Sequence, residues 1–154
     1  MFQRIIVPVD GSDAANLALD AALRIARDAQ GGELRLVHVV EEMAYLNAGS
    51  AYGAYSGDML GIMRGAGKTI LADAGERARA AGVPAETELY DKLGDRLAEV
   101  VADIAQSWRA DLVVVGTHGR RGMRRLLLGS GAEQIIRTAP VPVLVIRSPA
   151  PPRA

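Results

Sequence analysis

The stretch that decides the fold of this chain is residues 111–137, which read DLVVVGTHGRRGMRRLLLGSGAEQIIR. It begins with a run of branched apolar residues, Val113–Val115, typical of a strand buried on both faces of a parallel sheet. It ends on a predicted helix start, because Ser130 is followed three residues later by Glu133, as in a capping box. Four glycines lie between these elements, at positions 116, 119, 122 and 129. A strand, a glycine loop and a helix N-terminus in this order are how α/β proteins hold phosphate groups.

The spacing of these glycines leaves two interpretations open. It is not the dinucleotide fingerprint, since Gly116 and Gly119 have no glycine between them at position 118. It is not a P-loop either, because no Lys-Ser or Lys-Thr pair follows Gly129. Glycines often only form turns, and a serine at a helix start often only caps the helix. On spacing alone, a phosphate-binding loop and a purely structural loop both remain.

The composition indicates one globular domain. The chain has 154 residues, which suits a single core, and we expect one domain over residues 1–148 with a disordered tail over residues 149–154. The formal net charge is zero, so no global field favours nucleic acid or an anionic membrane as a partner. Cysteine is absent from the sequence, which excludes disulfides and zinc–thiolate sites. With no signal-peptide pattern and no apolar run long enough to span a bilayer, we expect a cytoplasmic protein.

Strand and helix patterns alternate along the whole chain. The predicted strands cover residues 5–9, 33–40, 85–90, 111–115 and 141–146, and the predicted helices cover residues 13–30, residues 58–81, a segment capped by Asp95 and a segment starting at Ser130. This alternation predicts an α/β fold with a doubly wound, five-stranded parallel sheet and helices on both faces. Ligands in such sheets bind beyond the strand C-termini, where the strand order reverses. In a 3-2-1-4-5 order, the loops Asp10–Ser12 and Gly116–Ser130 would converge there.

With these motifs in place, the chain resembles the universal stress protein family, in its single-domain form, from Arg4 to Ile146. The segment from Ile6 to Ser12, IVPVDGS, is similar to the family's first strand and turn, including the proline. Gly116 and Gly119, followed after nine residues by Gly129-Ser130, match the pattern of the family's ATP-binding branch. The resemblance implies a Rossmann-like sheet of the adenine nucleotide alpha hydrolase-like type, in the order 3-2-1-4-5, ATP as ligand, and a homodimer.

The resemblance also implies a role for individual residues. It places the Asp10 carboxylate near the ribose hydroxyls or a bound metal, with Pro8 and Val9 lining the pocket and the backbone of Val39 or Val40 facing the adenine. Mg²⁺ is expected in the vicinity of Asp10, because triphosphate oxygens supply many of its ligands. The expected contacts in the glycine loop and at its ends are Gly116, Thr117, His118, Gly119, Arg120, Gly122, Gly129, Ser130 and Gly131.

The predicted fifth strand is apolar and contains Pro142, which suits a sheet edge. An exposed apolar edge favours aggregation unless something covers it, so we expect a homodimer that pairs through Val141, Val143, Leu144, Val145 and Ile146. Four arginines at positions 120, 121, 124 and 125 form either a solvated loop or positive charge for the triphosphate or an acidic partner. They are too few to indicate nucleic-acid binding.

Several other residues are less informative than they look. The segment 65–69, GAGKT, resembles the end of a P-loop, but position 62 is Ile62 and no strand precedes the segment. We interpret His38 as a packed histidine of the second strand and His118 as an exposed loop histidine. The leading hypothesis is therefore an ATP-binding regulatory protein with an unidentified protein partner. The alternatives are a slow ATPase or self-phosphorylating enzyme, with Ser130 or Thr117 as acceptor, and a nucleotide-free dimeric scaffold.

Overall fold

The structure, a computed structural model, describes residues 1–41, 57–117, 128–147 and 149. Its strands are β1 Arg4–Pro8, β2 Glu33–Val39, β3 Ala85–Tyr90, β4 Leu112–Gly116 and β5 Val143–Ile146, and its helices are α1 Asp13–Asp28, α2 Gly57–Ala80, α3 Leu97–Ser107 and α4 Ser130–Thr138. The strands form one parallel sheet in the order β3-β2-β1-β4-β5. The predicted fold class and strand order are confirmed.

Each face of the sheet is covered by a pair of helices. Leu34, Leu36 and Val114 point to one side, where they pack with the apolar residues of α1 and α2. Val37 and Val113 point to the other side, where they pack with α3 and α4. The central strands are therefore buried on both faces, which explains their nearly continuous apolar sequences. None of the helices in the described ranges is long and apolar enough to cross a membrane.

The outer strand β3 is protected by charge. On the face away from α2, the Arg35 guanidinium pairs with Glu88 at 2.5 Å and Glu86 at 2.6 Å, and it lies 4.7 Å from the centre of the Trp108 ring. Burial raises the pKa of the Tyr90 phenol to about 12, and its hydrogen bond to Glu88 adds to the shift. Charged side chains on an edge strand disfavour pairing with other chains.

Two predicted boundaries are wrong by two residues. The first helix ends at Asp28 rather than Gln30, because Gln30 and Gly31 both adopt a positive φ, which a helix does not accommodate. The fifth strand begins at Val143 rather than Val141. Before it, the Pro142 carbonyl still accepts a hydrogen bond from Val113 N–H at 3.0 Å. The edge position predicted for this strand is confirmed.

The predicted N-cap of α3 is also wrong. Arg96 occupies the N-cap position of that helix, and its side chain makes no capping hydrogen bond. The Asp95 carboxylate instead accepts a hydrogen bond from Lys92 N–H at 3.0 Å, inside the preceding turn. Gly94, with a φ of 92°, lets the chain reverse there. Asp95 therefore stabilises the turn before the helix and not the helix itself.

Candidate functional site

The pairing between β1 and β4 ends before Pro8. Successive residues of β1 direct their backbone groups alternately to β4 and to β2. Arg4 faces β4, since its carbonyl accepts a hydrogen bond from Asp111 N–H, and Val9 faces β2, since its N–H donates to Val37 O. The nitrogen of Pro8 therefore faces β4, where it has no hydrogen to donate. Register pairs between β1 and β4 are Ile5 with Leu112 and Ile6 with Val113, whereas pairing with β2 continues to Pro8. The pairing of β1 with β4 therefore ends before its pairing with β2, at the point where the strand order reverses and where ligands bind in sheets of this kind; we call this region the crevice between β1 and β4.

The first wall of this crevice is the turn that follows β1. Val9 is buried and Asp10 is half-buried. The Asp10 carboxylate accepts a hydrogen bond from Ser12 N–H at 2.9 Å, and Gly11 takes a φ of 78°, which favours glycine. Ser12 then caps α1 by accepting from Ala15 N–H at 3.2 Å. The turn fixes the carboxylate at the carboxyl edge of the sheet, as predicted from the sequence.

The second wall is the end of β4. Gly116 has a structural reason to be glycine, since a Cβ there would lie 2.5 Å from both the carbonyl carbon and oxygen of Ala14. The start of α1 therefore packs directly on the β4 backbone. The sequence resemblance gave Gly116 a place beside a ribose, and that placement stays a prediction. The close contact brings the Asp10 turn and the glycine loop to the same edge.

Thr117 connects this wall to the start of α4. Its N–H donates to Ile146 O at 3.0 Å, and its carbonyl accepts from Gly129 N–H at 2.6 Å. The two ends of the glycine loop are thus tied together before α4 begins. Thr117 is 7% exposed, and its hydroxyl has no hydrogen-bond partner among the residues that the structure describes. A buried hydroxyl without a partner is costly, so this position suits a polar ligand.

The capping box predicted for α4 is wrong. Gly129 occupies the N-cap position without a side-chain bond, and Ser130 is the first helical residue. Glu133 turns the other way and pairs with Arg137 at 2.8 Å. Among the residues that the structure describes, no side chain at the N-cap position bonds the first N–H groups of α4, and Ser130 is exposed beside them. Uncapped N–H groups at a helix start bind anions well.

The remaining predicted wall belongs to β2, the neighbour of β1 on its other side. Val39 and Val40 are buried at the carboxyl end of this strand, and Val40 N–H donates to Tyr90 O at 2.8 Å. They lie one strand away from Asp10, at the same edge of the sheet. The structure therefore brings together predicted residues from β1, β2, β4 and α4.

Other predicted site residues lie outside the described residues. These are His118, Gly119, Arg120 and Gly122, together with the neighbouring arginines 121, 124 and 125. The same holds for the loop before α2 up to residue 56, and for the predicted tail except residue 149. In the described ranges, no group of three or more Asp, Glu or His side chains could hold a metal ion.

A separate cleft of about 270 Å³ lies on the α1–α2 side of the turn, lined by Val9, Gly11, Asn16, Ile70, Asp73, Ala74 and Arg77. Arg77 crosses it to reach Asn16 and Asp20. Val9 and Gly11, the residues on either side of Asp10, line this cleft. The crevice has the uncapped helix start and the unpartnered hydroxyl, so we regard it as the candidate site.

Two residues near the site were underestimated from the sequence. His38, interpreted as a packed histidine, places its Nδ1 2.7 Å from the carbonyl oxygen of Val9. Gly67, part of the rejected P-loop-like segment, lies within α2 and directly against the His38 ring. A glycine in a helix interior is unfavourable without a packing reason. It was the one sequence signal that could have drawn attention to this contact.

The comparisons with known proteins show the family and agree with the fold. A model of the Universal stress protein family matches residues 1–147. The universal stress protein YxiE of Bacillus subtilis is 33% identical over 153 residues, covering 96% of this chain and 100% of that protein. A solved structure from the universal stress protein family of Burkholderia pseudomallei is 33% identical, with a TM-score of 0.72 and coverage of 96% and 97%.

Among the related structures is a complex with a nucleotide. The universal stress protein of Archaeoglobus fulgidus in complex with dAMP is 26% identical to this chain, with a TM-score of 0.67. The match covers 94% of this chain and 98% of that protein.

Proposed function

The chain belongs to the universal stress protein family, and we propose that within it this protein is a regulatory protein that binds ATP in the crevice between β1 and β4. The observation that supports this most directly is the pairing of two incomplete polar features. Within the described residues, these are the N-terminus of α4, whose N-cap residue Gly129 has no side chain to cap it, and the buried Thr117 hydroxyl, joined by the hydrogen bond from Gly129 N–H to Thr117 O. Both would be completed by phosphate oxygens. The dAMP complex of the Archaeoglobus fulgidus relative supports an adenine nucleotide.

In this proposal, the nucleotide lies across the carboxyl edge of the sheet. Pro8, Val9 and the backbone at Val39 or Val40 contact the adenosine part, and Asp10 lies beside the ribose or a metal ion. The phosphates contact the glycine loop and the α4 start through Gly116, Thr117, His118, Gly119, Arg120, Gly122, Gly129, Ser130 and Gly131. Mg²⁺ fits as a second ligand, because one carboxylate and the phosphate oxygens would supply its preferred oxygen ligands.

We favour a switch ligand over a substrate. Phosphoryl transfer generally uses a lysine at the phosphates and a group that orients the nucleophile. The only lysines of the chain are Lys68 in α2 and Lys92 in the turn after β3. Thr117, one candidate acceptor for self-phosphorylation, is buried, whereas Ser130 is exposed. Self-phosphorylation would therefore have to use Ser130, and for this reaction as for ATP hydrolysis we expect turnover to be very slow.

We further propose a homodimer through the outer edge of β5. Leu144 on this strand is 37% exposed, and Ile136 on the adjacent α4 is 44% exposed. Val141, Val143, Val145 and Ile146 are only half-buried in the single chain. Pairing β5 with a second copy would cover the edge and bury these side chains. A monomer in sedimentation at micromolar concentration would contradict this proposal.

The first experiment is acid quench of freshly purified protein and chromatography of any released nucleotide. Calorimetric titration of the stripped protein with ATP, ADP and AMP follows, with and without Mg²⁺. We expect ATP to be recovered and to rebind. Recovered ADP would instead favour the enzymatic alternative. If no nucleotide is recovered and the titration gives no binding heat, the nucleotide-free scaffold is favoured.

A variant and a matched control test the location. Gly129 has a φ of −58° and a ψ of 148°, which any residue can adopt, so Gly129→Val adds a side chain at the α4 start without backbone strain. We expect it to abolish ATP binding while the far-ultraviolet circular dichroism stays unchanged. Gly65→Ala is the control, because nothing lies within 4 Å of the added Cβ. Full ATP affinity in folded Gly129→Val would overturn the location.

A further inference from the structure

The His38 ring completes the hydrogen bonding between β1 and β2. The last backbone bond from β1 to β2 in the direction of the chain is Val9 N–H to Val37 O at 2.8 Å. The carbonyl of the same residue, Val9, faces the His38 Nδ1 at 2.7 Å. A carbonyl can only accept, so the ring must present Nδ1–H to it. The side chain thus provides the next link between the two strands.

The ring is held from its other side by α2. An ideal Cβ at Gly67 would lie 2.7 Å from His38 Cδ2 and 3.3 Å from Nε2. It would also lie 2.8 Å from Leu89 Cδ1 on β3. The absence of a side chain at this buried position leaves the space that the ring fills. His38 is therefore packed among β1, β3 and α2, and has little freedom to leave the Val9 carbonyl.

This contact determines the orientation of the peptide that leads into the candidate site. Because a trans peptide is planar, fixing the Val9 carbonyl toward His38 directs the Asp10 N–H the opposite way. That direction is away from β2 and toward β4, where the crevice lies. The same peptide plane sets the start of the Asp10 turn, whose carboxylate accepts from Ser12 N–H. A rotation of this peptide would displace the carboxylate.

We propose that His38 is a positioning residue for the nucleotide site, acting through its Nδ1–H bond to the Val9 carbonyl, which orients the Val9–Asp10 peptide. This inference rests on the proposed adenine-nucleotide binding at Asp10. His38 itself lies on the α2 side of the sheet and does not contact the ligand. Its contribution is to keep the Asp10 turn in the binding geometry before the ligand arrives, which lowers the cost of ordering the site.

Two substitutions separate the hydrogen bond from the bulk of the ring. His38→Leu fills most of the space but removes the donor. His38→Asn loses the ring but keeps an N–H donor one bond from Cγ, where Nδ1 was. We expect calorimetry to show about fivefold weaker ATP binding for His38→Leu, the net effect of one hydrogen bond, and binding within about twofold of wild type for His38→Asn. The unfolding temperatures should follow the opposite order to the ATP affinities. His38→Asn should unfold at the lower temperature, because asparagine fills the cavity less well than leucine.

A stability control and a spectroscopic readout complete the test. Ile5→Val, at the opposite end of β1, should lower the unfolding temperature and leave ATP affinity unchanged. The chain contains only two histidines, so the imidazole ¹⁵N spectrum, assigned with His38→Asn, should show the Nδ1–H tautomer for His38. The Asp10 amide shift should move in His38→Leu and return toward wild type in His38→Asn.

Each outcome decides the proposal. Unchanged affinity in His38→Leu overturns it, as does a His38→Asn variant as weak as His38→Leu. If affinity falls in Ile5→Val as well, stability rather than positioning explains the effect. If the wild-type protein binds no adenine nucleotide, the proposed function fails and the positioning role fails with it. The ¹⁵N spectrum then still shows whether the His38–Val9 bond exists in solution.

Discussion

The packing of α2 against the His38 ring can be tested by placing the same substitution at two positions of one helix. Gly65 and Gly67 lie two residues apart in α2. An alanine at Gly65 would meet nothing within 4 Å, whereas at Gly67 its Cβ would lie 2.7 Å from His38 and 2.8 Å from Leu89. Carbon atoms in contact are normally about 3.5 to 4.0 Å apart, so the second alanine intrudes by about 1 Å.

The magnitudes follow from two opposing effects. Replacing glycine by alanine inside a helix gains about 1 kcal/mol at either position. At Gly67, overpacking should cost about 1 to 3 kcal/mol, although the end of the Leu89 side chain can yield more readily than the His38 ring. We therefore expect Gly65→Ala to raise the free energy of unfolding by about 1 kcal/mol. Gly67→Ala should leave it unchanged or lower it by up to about 2 kcal/mol.

Urea denaturation followed by circular dichroism measures the difference between the two variants. The expected gap is about 1 to 3 kcal/mol, which corresponds to a difference in midpoint temperature of about 2 to 12 °C for a domain of this size. The slope of the transition should be the same for both, since neither change alters the surface exposed on unfolding. Equal stabilisation by both alanines would refute the close packing of α2 on His38.

Three further predictions concern the frame of the site. Gly116→Ala should destabilise the protein by about 3 kcal/mol, measured by urea denaturation, because the Ala14 backbone cannot move aside as a flexible side chain can. The backbone N–H of Arg4 lowers the pKa of the Asp111 carboxyl despite partial burial, so stability gained from this bond is present above about pH 4 and is lost as the pH falls through the lowered pKa. Asp111→Ala should therefore cost about 1 kcal/mol at pH 7 and less at pH 3, in parallel urea titrations. Tyr90→Phe should remove the phenolate absorbance change near pH 12, because burial raises the pKa of this phenol to about 12; an unchanged titration at that pH would contradict the assignment.

The sheet could be predicted because its signals are local and repeated. Consecutive apolar residues such as Val113–Val115 are typical of strands buried on both faces, and their alternation with helical patterns allows few topologies. The family resemblance supplied the strand order. The position of Asp10 followed from these two facts, since it comes after a strand at the reversal point. The site was therefore predictable at the level of which loops meet.

The caps and the contacts across the sheet were harder to predict. Ser130 and Asp95 are both favourable capping residues, but Gly129 and Arg96 occupy the N-cap positions. A cap depends on the backbone angles of the preceding loop, and composition does not determine these. The bond between His38 and Val9 joins residues 29 positions apart. It depends on the placement of a third element, so no periodicity along the chain indicates it.

Pro8 explains why the crevice lies where it does. In the sequence it conflicts with a central strand, because a proline there loses a ladder bond. In the structure, its nitrogen faces β4 and the pairing with β4 ends at Ile6, while the pairing with β2 continues past Pro8 to Val9 N–H. The lost bond thus separates β1 from one neighbour only. On the other side, His38 strengthens the link to β2 at the very residue where the strands would otherwise begin to part. The link to β2 therefore continues as far as Val9, the residue before Asp10, while the pairing with β4 has already ended.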